Sequence, residues 1–182
     1  MSVVHIITAT LRSDSDQQEL EHAWDAASTL ADSQEVTACH VGRSPNHLVT
    51  AVWLSNQGSL EIFAASEPHM KFVMERLAHI IEGMWSVSIS VEREPPHSTP
   101  DALWAFAIPE IDGVFEWQIE RQIDAVNNLP GESWAGRTIE EREQYRAGGV
   151  ILLSGSEIDD FCTNRETIEI DTLILNSTFT RT

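Results

Sequence analysis

Apolar residues recur along this chain with two spacings, one of two residues and one of three to four, and the alternation between them runs through twice. Val3 to Leu11 is a β-branched, apolar run that predicts a strand. Leu20, Ala23, Trp24, Ala27 and Leu30 follow at helical spacing, behind Ser13-Asp14-Ser15-Asp16, where Ser15 and Gln18 stand at capping-box distance. Glu35 to Arg43 and Leu48 to Leu54 read as strands around a Ser44-Pro45-Asn46 turn. Gln57 to Ile81 reads as helix, restarted at Ser66-Glu67-Pro68 because proline belongs in a first turn and not in a helix interior. Trp85, Val87, Ile89 and Val91 alternate with serines, which predicts a strand with one apolar face. The order β-α-β-β-α-β is the ferredoxin-like plan.

Glu94-Pro95-Pro96-His97-Ser98-Thr99-Pro100 is the proline-dense stretch and predicts a linker. Beyond it the pattern restarts. Ala102 to Ile108 reads as a strand, Phe115, Ile119, Ile123 and Val126 as a helical stripe, and Ser133 to Thr138 and Gly149 to Ser154 as strands. A short helix near Glu157–Thr163 and a last strand at Thr167–Leu175 complete the series. The halves also align directly. Val41-Gly42-Arg43-Ser44 matches Ala135-Gly136-Arg137-Thr138, and Val52-Trp53-Leu54-Ser55 matches Ile151-Leu152-Leu153-Ser154. Leu60-Glu61-Ile62-Phe63 matches Ile158-Asp159-Asp160-Phe161. Two copies of one unit explain this, against the alternative of chance likeness between similar patterns. The expected domains are 1–94, with a complete pocket, and 101–182, a degenerate copy whose second helix stops before any counterpart of His69.

Charge narrows the partners. Residues 1–94 carry 5 basic and 13 acidic side chains and residues 95–182 carry 6 and 16, for a net charge of −18. No basic stripe is available to neutralise phosphates, so neither nucleic acid nor an anionic membrane surface is an expected partner. The first residues lack a basic segment ahead of an apolar one, no apolar run approaches the roughly 18 residues of a membrane span, and a cytoplasmic location is expected. The two cysteines, Cys39 and Cys162, form no C-x-x-C pair.

The candidate chemistry centres on His69. With Phe72, Val73, Arg76, Leu77 and Ile80 it falls on one stripe of a helix, so an imidazole shares the face that packing would bury. Such a histidine is either a core residue bonded to a carbonyl or an acid/base at work, and His5 on the first strand poses the same choice. His79 with Glu82, and His40 with His47, are short of a three-ligand set, so no metal and no cofactor is expected. The tryptophans suit a core by spacing and, in a cavity, a flat aromatic guest.

Val4-His5-Ile6-Ile7 on the first strand and Phe63-x4-Pro68-His69 in the second helix resemble the dimeric α/β-barrel superfamily. Its members include stress-responsive barrel proteins, olivetolic acid cyclase-like polyketide cyclases and cofactor-free antibiotic-biosynthesis monooxygenases. The resemblance covers residues 3–92 and reaches the second half through the internal repeat. It implies an α+β fold in which two ferredoxin-like sheets close a barrel, here within one chain as an intramolecular pseudo-dimer, with pairing into a homodimer as the other arrangement. It also implies that His69 is a general base, that His5 orients or donates, and that Phe63 stands where the cyclases carry a tyrosine. Trp24, Phe72, Val73 and Ile7 are then expected, with Phe63, to contact a small hydrophobic or aromatic substrate. Some haem-binding relatives use a helix-two histidine as axial ligand, which leaves that role for His69 as an alternative, beside a non-catalytic barrel in which both histidines are structural.

Overall fold

The computed structural model describes residues 1–110, 115–129, 131–139, 144–155, 157–158 and 176–181. Its first half runs β1 (Ser2–Leu11), α1 (Gln17–Ser28), β2 (Val36–Ser44), β3 (His47–Leu54), α2 (Gln57–Ala64), α3 (Glu67–Met70) and β4 (Ile81–Val91). Its second runs β5 (Ala102–Pro109), α4 (Glu116–Asn127), β6 (Glu132–Arg137), β7 (Tyr145–Leu153) and β8 (Asn176–Arg181). The strand order is β4-β1-β3-β2-β8-β5-β7-β6, so each half keeps the ferredoxin-like arrangement of its four strands. One seam pairs β2 with β8 at Arg43 and Arg181. The other brings the far edges together through a bridge between Ile89 and Thr138, beside an Ile139 N–H to Ser88 C=O bond of 3.0 Å. The expected barrel therefore closes within one chain.

Strand alternation sorts the core into layers. Val4, Ile6, Val49, Ala51, Trp53, Val87, Ile89, Leu103, Ala105, Trp134 and Val150 fill the barrel interior, where the Trp53 and Trp134 rings meet edge-on at 5.0 Å. The opposite face of the first sheet, with Val3, Ile7, Ala9, Leu48 and Val52, packs under α1 and the second helix through Ala23, Ala27, Leu60, Phe63, Phe72 and Leu77. The second sheet packs likewise under α4. The linker lies along β6: Glu132 accepts from the His97 N–H and the Ser98 hydroxyl, and the Trp134 indole donates to the Glu94 carbonyl at 3.0 Å.

Several elements depart from the sequence reading. Asp16, not Ser15, caps α1 by accepting from the Gln18 N–H at 2.7 Å, while the Ser15 hydroxyl donates to the Ile80 carbonyl. The second helix breaks as expected, with Ser66 capping α3 and Pro68 in its first turn, but it continues as a π-helix over Lys71–Leu77. There the Ala78 N–H reaches back five residues to the Val73 carbonyl, so the buried residues are Phe72 and Leu77, five apart, and Arg76 is turned out to solvent. Strand β4 starts at Ile81, four residues earlier than the alternation from Trp85 indicates. Of the short helix expected near Glu157–Thr163 only Glu157 and Ile158 are described, and the strand expected at Thr167–Leu175 lies outside the described residues; β8 at Asn176–Arg181 holds the fourth place in the second sheet.

The β4–β6 seam depends on a glycine. A Cβ at Gly136 would stand within contact-breaking reach of the Ser90 carbonyl oxygen, at 2.4 Å. Gly136→Ala is therefore expected to destabilise the protein by about 1–3 kcal/mol in urea unfolding, whereas Gly83→Ala, where a Cβ meets nothing within 4 Å, leaves the midpoint nearly unchanged.

Candidate functional site

Odd-numbered positions of β1 face the helices, which places His5 in the layer that also holds Val3, Ile7 and Ala9. Across the sheet it pairs with Ser88 of β4 on one side and Val52 of β3 on the other. Its Nδ1 lies 2.9 Å from the Ser88 hydroxyl, whose residue is 1% exposed. The serine face of β4 is thus turned toward the helices at this point. His69, in the first turn of α3, comes down over the same spot. Its ring centroid is 6.0 Å from that of His5 and 4.9 Å from that of Phe63, and Phe63 lies 6.1 Å from His5. The structure therefore brings His5, His69 and Phe63 into one cluster.

The His69 backbone N–H donates to the Ser66 hydroxyl at 3.4 Å, and its Nδ1 lies 3.0 Å from the Ala64 carbonyl. A carbonyl can only accept, so the proton sits on Nδ1 and the lone pair is on Nε2. This is the tautomer of a base. It is also the atom that an axial haem ligand would use. Burial lowers the His69 pKa from its usual value, with the Ala64 bond acting weakly in the other direction. His5 is pushed down further, to about 3, first by burial and then by the neighbouring His69. Both rings are therefore neutral at pH 7, which suits two imidazoles placed side by side.

The residues expected to contact a substrate divide. Phe63 and Phe72 are fully buried and Ile7 nearly so, while Val73 is half-buried against the same core. Trp24 stands apart from the histidines. It lines an open cleft of about 430 Å³ with Leu11, Leu20, Leu48 and Ile80, and the Arg43 guanidinium, itself paired with Glu21 at 3.1 Å, lies 4.7 Å above its ring. Leu11 is six residues beyond His5 on the same strand, roughly 20 Å along it, so a small guest touching His5 does not rest on that end of the cleft. Ser88 was not singled out by sequence reasoning; its only signal was its place in the alternation of β4. Among the described residues no three His, Cys, Asp or Glu side chains come together to hold a metal ion, and no helix is long and apolar enough to cross a membrane. Burial pushes the Cys39 thiol up to about 12.

Acid sensitivity is expected from His5. Its pKa is depressed on folding, so the unfolded chain takes up a proton that the native state refuses as pH falls from 6.5 toward 3. Stability is then lost across that window by up to about 1.4 kcal/mol per pH unit. Urea unfolding of His5→Phe at pH 7 and pH 5 is expected to show a smaller difference than the parent chain. Cys39 is expected to resist iodoacetamide at pH 8 in the native state and to react once unfolded.

No family model matches the sequence, and no curated protein matches it. Solved structures do. A protein of Lactobacillus acidophilus described as a candidate monooxygenase is 15% identical, with a TM-score of 0.61 over 98% of this chain and 91% of its own. One from Fusobacterium nucleatum, described in the same way, is 12% identical, with a TM-score of 0.60 over 99% and 90%. A hydroxynitrile lyase from Passiflora edulis matches 52% of this chain with 97% of its own, at 16% identity and a TM-score of 0.44. At these identities the likeness is one of fold, and it is carried by the Lactobacillus acidophilus and Fusobacterium nucleatum proteins, whose matches span both halves of the chain.

Proposed function

We propose that the chain is a cofactor-independent small-molecule enzyme, a polyketide or aromatic cyclase in which His69 is the general base. The observation that supports this reading is the 3.0 Å bond from His69 Nδ1 to the Ala64 carbonyl, which fixes the proton there and leaves Nε2 free beside a second neutral imidazole. Ring closure of the aldol type requires removal of a proton from the carbon next to a carbonyl, and an imidazole that is neutral at pH 7 is suited to take it. Negative charge then develops on the carbonyl oxygen and needs a donor. Phe63 has no hydroxyl to offer. His5 supplies one when Ser88 donates to its Nδ1, because the neutral ring then carries its proton on Nε2. Residues 1–94 hold this site and residues 101–182 serve as its brace.

The cofactor-free monooxygenase is the second reading, favoured by the descriptions of the two full-length structural neighbours. The same proton removal would then generate a carbanion on an electron-rich aromatic, which passes electrons to dioxygen. On either reading the substrate is small and hydrophobic or aromatic, and a location in the cytoplasm is part of the proposal.

A panel of poly-β-ketone thioesters and polyhydroxylated aromatics tests this. His69→Ala is expected to lower turnover by about 10²–10⁴-fold with the fold intact by circular dichroism. The parent rate should rise with pH through a midpoint below the usual histidine value of 6.5 and level off by neutrality, because the base must be unprotonated. Oxygen uptake during turnover selects the monooxygenase; retained activity in His69→Ala removes His69 as the base on both readings, and a parent chain that turns over nothing in the panel supports a ligand-binding barrel.

A further inference from the structure

The first half does not enclose its own histidine pair. Strand β4, which sets Ser88 opposite His5, is the outer strand of the first sheet, so within that sheet no further strand lies beyond Ser88. The second half covers that edge. The bridge between Thr138 and Ile89 sets an antiparallel register that puts Ile139 opposite Ser88, and the Ile139 N–H donates to the Ser88 carbonyl at 3.0 Å. Residues opposite one another in such a pair project to the same face, and the Ile139 side chain does pack against the core beneath the first half's helices. A single row therefore crosses the helix-facing side of the sheet, from Ile139 through Ser88, His5 and Val52 to Cys39. At about 5 Å per step, Ile139 stands roughly 10 Å from His5, within the span of a two-ring guest.

The two halves differ at this place. The first half joins β2 to β3 through Pro45 and Asn46 alone, whereas residues 138–144 separate β6 from β7. Only the longer connection carries a residue such as Ile139 past the end of its own strand and onto the neighbouring sheet. We infer that Ile139 is a positioning and specificity-determining residue of the His5–His69 site, contributed across the seam: its backbone pins the strand that presents Ser88 to His5, and its side chain bounds the site on the β4 side. This rests on the functional reading above for the meaning of the site, but its geometry can be tested without a substrate.

The experiment is histidine-selective ¹⁵N NMR on the full chain, which reads the ring nitrogens of His5 directly. His69 is the titratable group that faces His5 from the helices, while β3 and β4 present Val52 and Ser88. Ile139→Ala opens the edge to water. It is expected to shift both His5 ring-nitrogen signals and to raise their titration midpoint by about one unit, with the signals of exposed His22 and His79 unmoved. Ile139→Val keeps the branched stem and is expected to move the same signals in the same direction by less. Unmoved His5 signals in folded Ile139→Ala overturn the inference; should that variant fail to fold, unmoved signals in Ile139→Val do so. Loss of the His69 base assignment through an active His69→Ala protein leaves the NMR outcome unaffected, so the two fail separately.

Discussion

An outer strand of a twisted sheet carries unpaired N–H and C=O groups that must be covered or paired. In this protein the outer strand that matters is β4, and its cover is β6 of the other half. Gly136 permits the approach by having no side chain at the Ser90 carbonyl. Once that seam is shut the sheet has two buried faces. One turns inward to Trp53 and Trp134, and the other lies under helices. Strands in such a sheet are apolar on both sides, which is why β3 and β5 read as nearly unbroken hydrophobic runs and not as alternations. Among the polar residues of β1 and β4, His5 and Ser88 meet each other.

This division explains what could be read from the residues alone. Strands and helices of the first half follow from their spacing, and the repeat pairs the correct strands: the register equates Val4–Trp53 with Leu103–Leu152, both inside the barrel. Position 69 in the first turn of a helix was legible from Ser66 and Pro68. The π-helical turn was not, because Phe72, Val73, Arg76 and Leu77 satisfy an α-helical stripe equally well, and the five-residue bond from Ala78 to Val73 shows only in the folded chain, where this segment lies beside α1. Ser88 and Ile139 were invisible for a different reason. Their significance lies in cross-strand neighbours 83 and 51 residues away in sequence, and beyond the place of Ser88 in the β4 alternation nothing local marks them.

The same register shows how the copies have diverged. The place of His5 in the first sheet is held in the second by Trp104, opposite Ile151 as His5 is opposite Val52. Trp104 is 1% exposed and stacks on Phe106 at 5.1 Å. A bulky indole fills the layer that in the first half is shared by an imidazole, a serine hydroxyl and a phenyl ring. Among the described residues, paired neutral imidazoles occur in one half only, and the matching place in the other is filled by apolar packing.

Joining the halves by the stretch from Glu94 to Pro100 has a consequence for how the barrel responds to dilution. Two separate subunits find each other only above a threshold concentration, and a site walled by both is lost below it. A tether of a few residues holds the second sheet at an effective concentration in the millimolar range, whatever the number of molecules per cell. The wall that Ile139 provides is then present in every copy of the chain, even when copies are scarce.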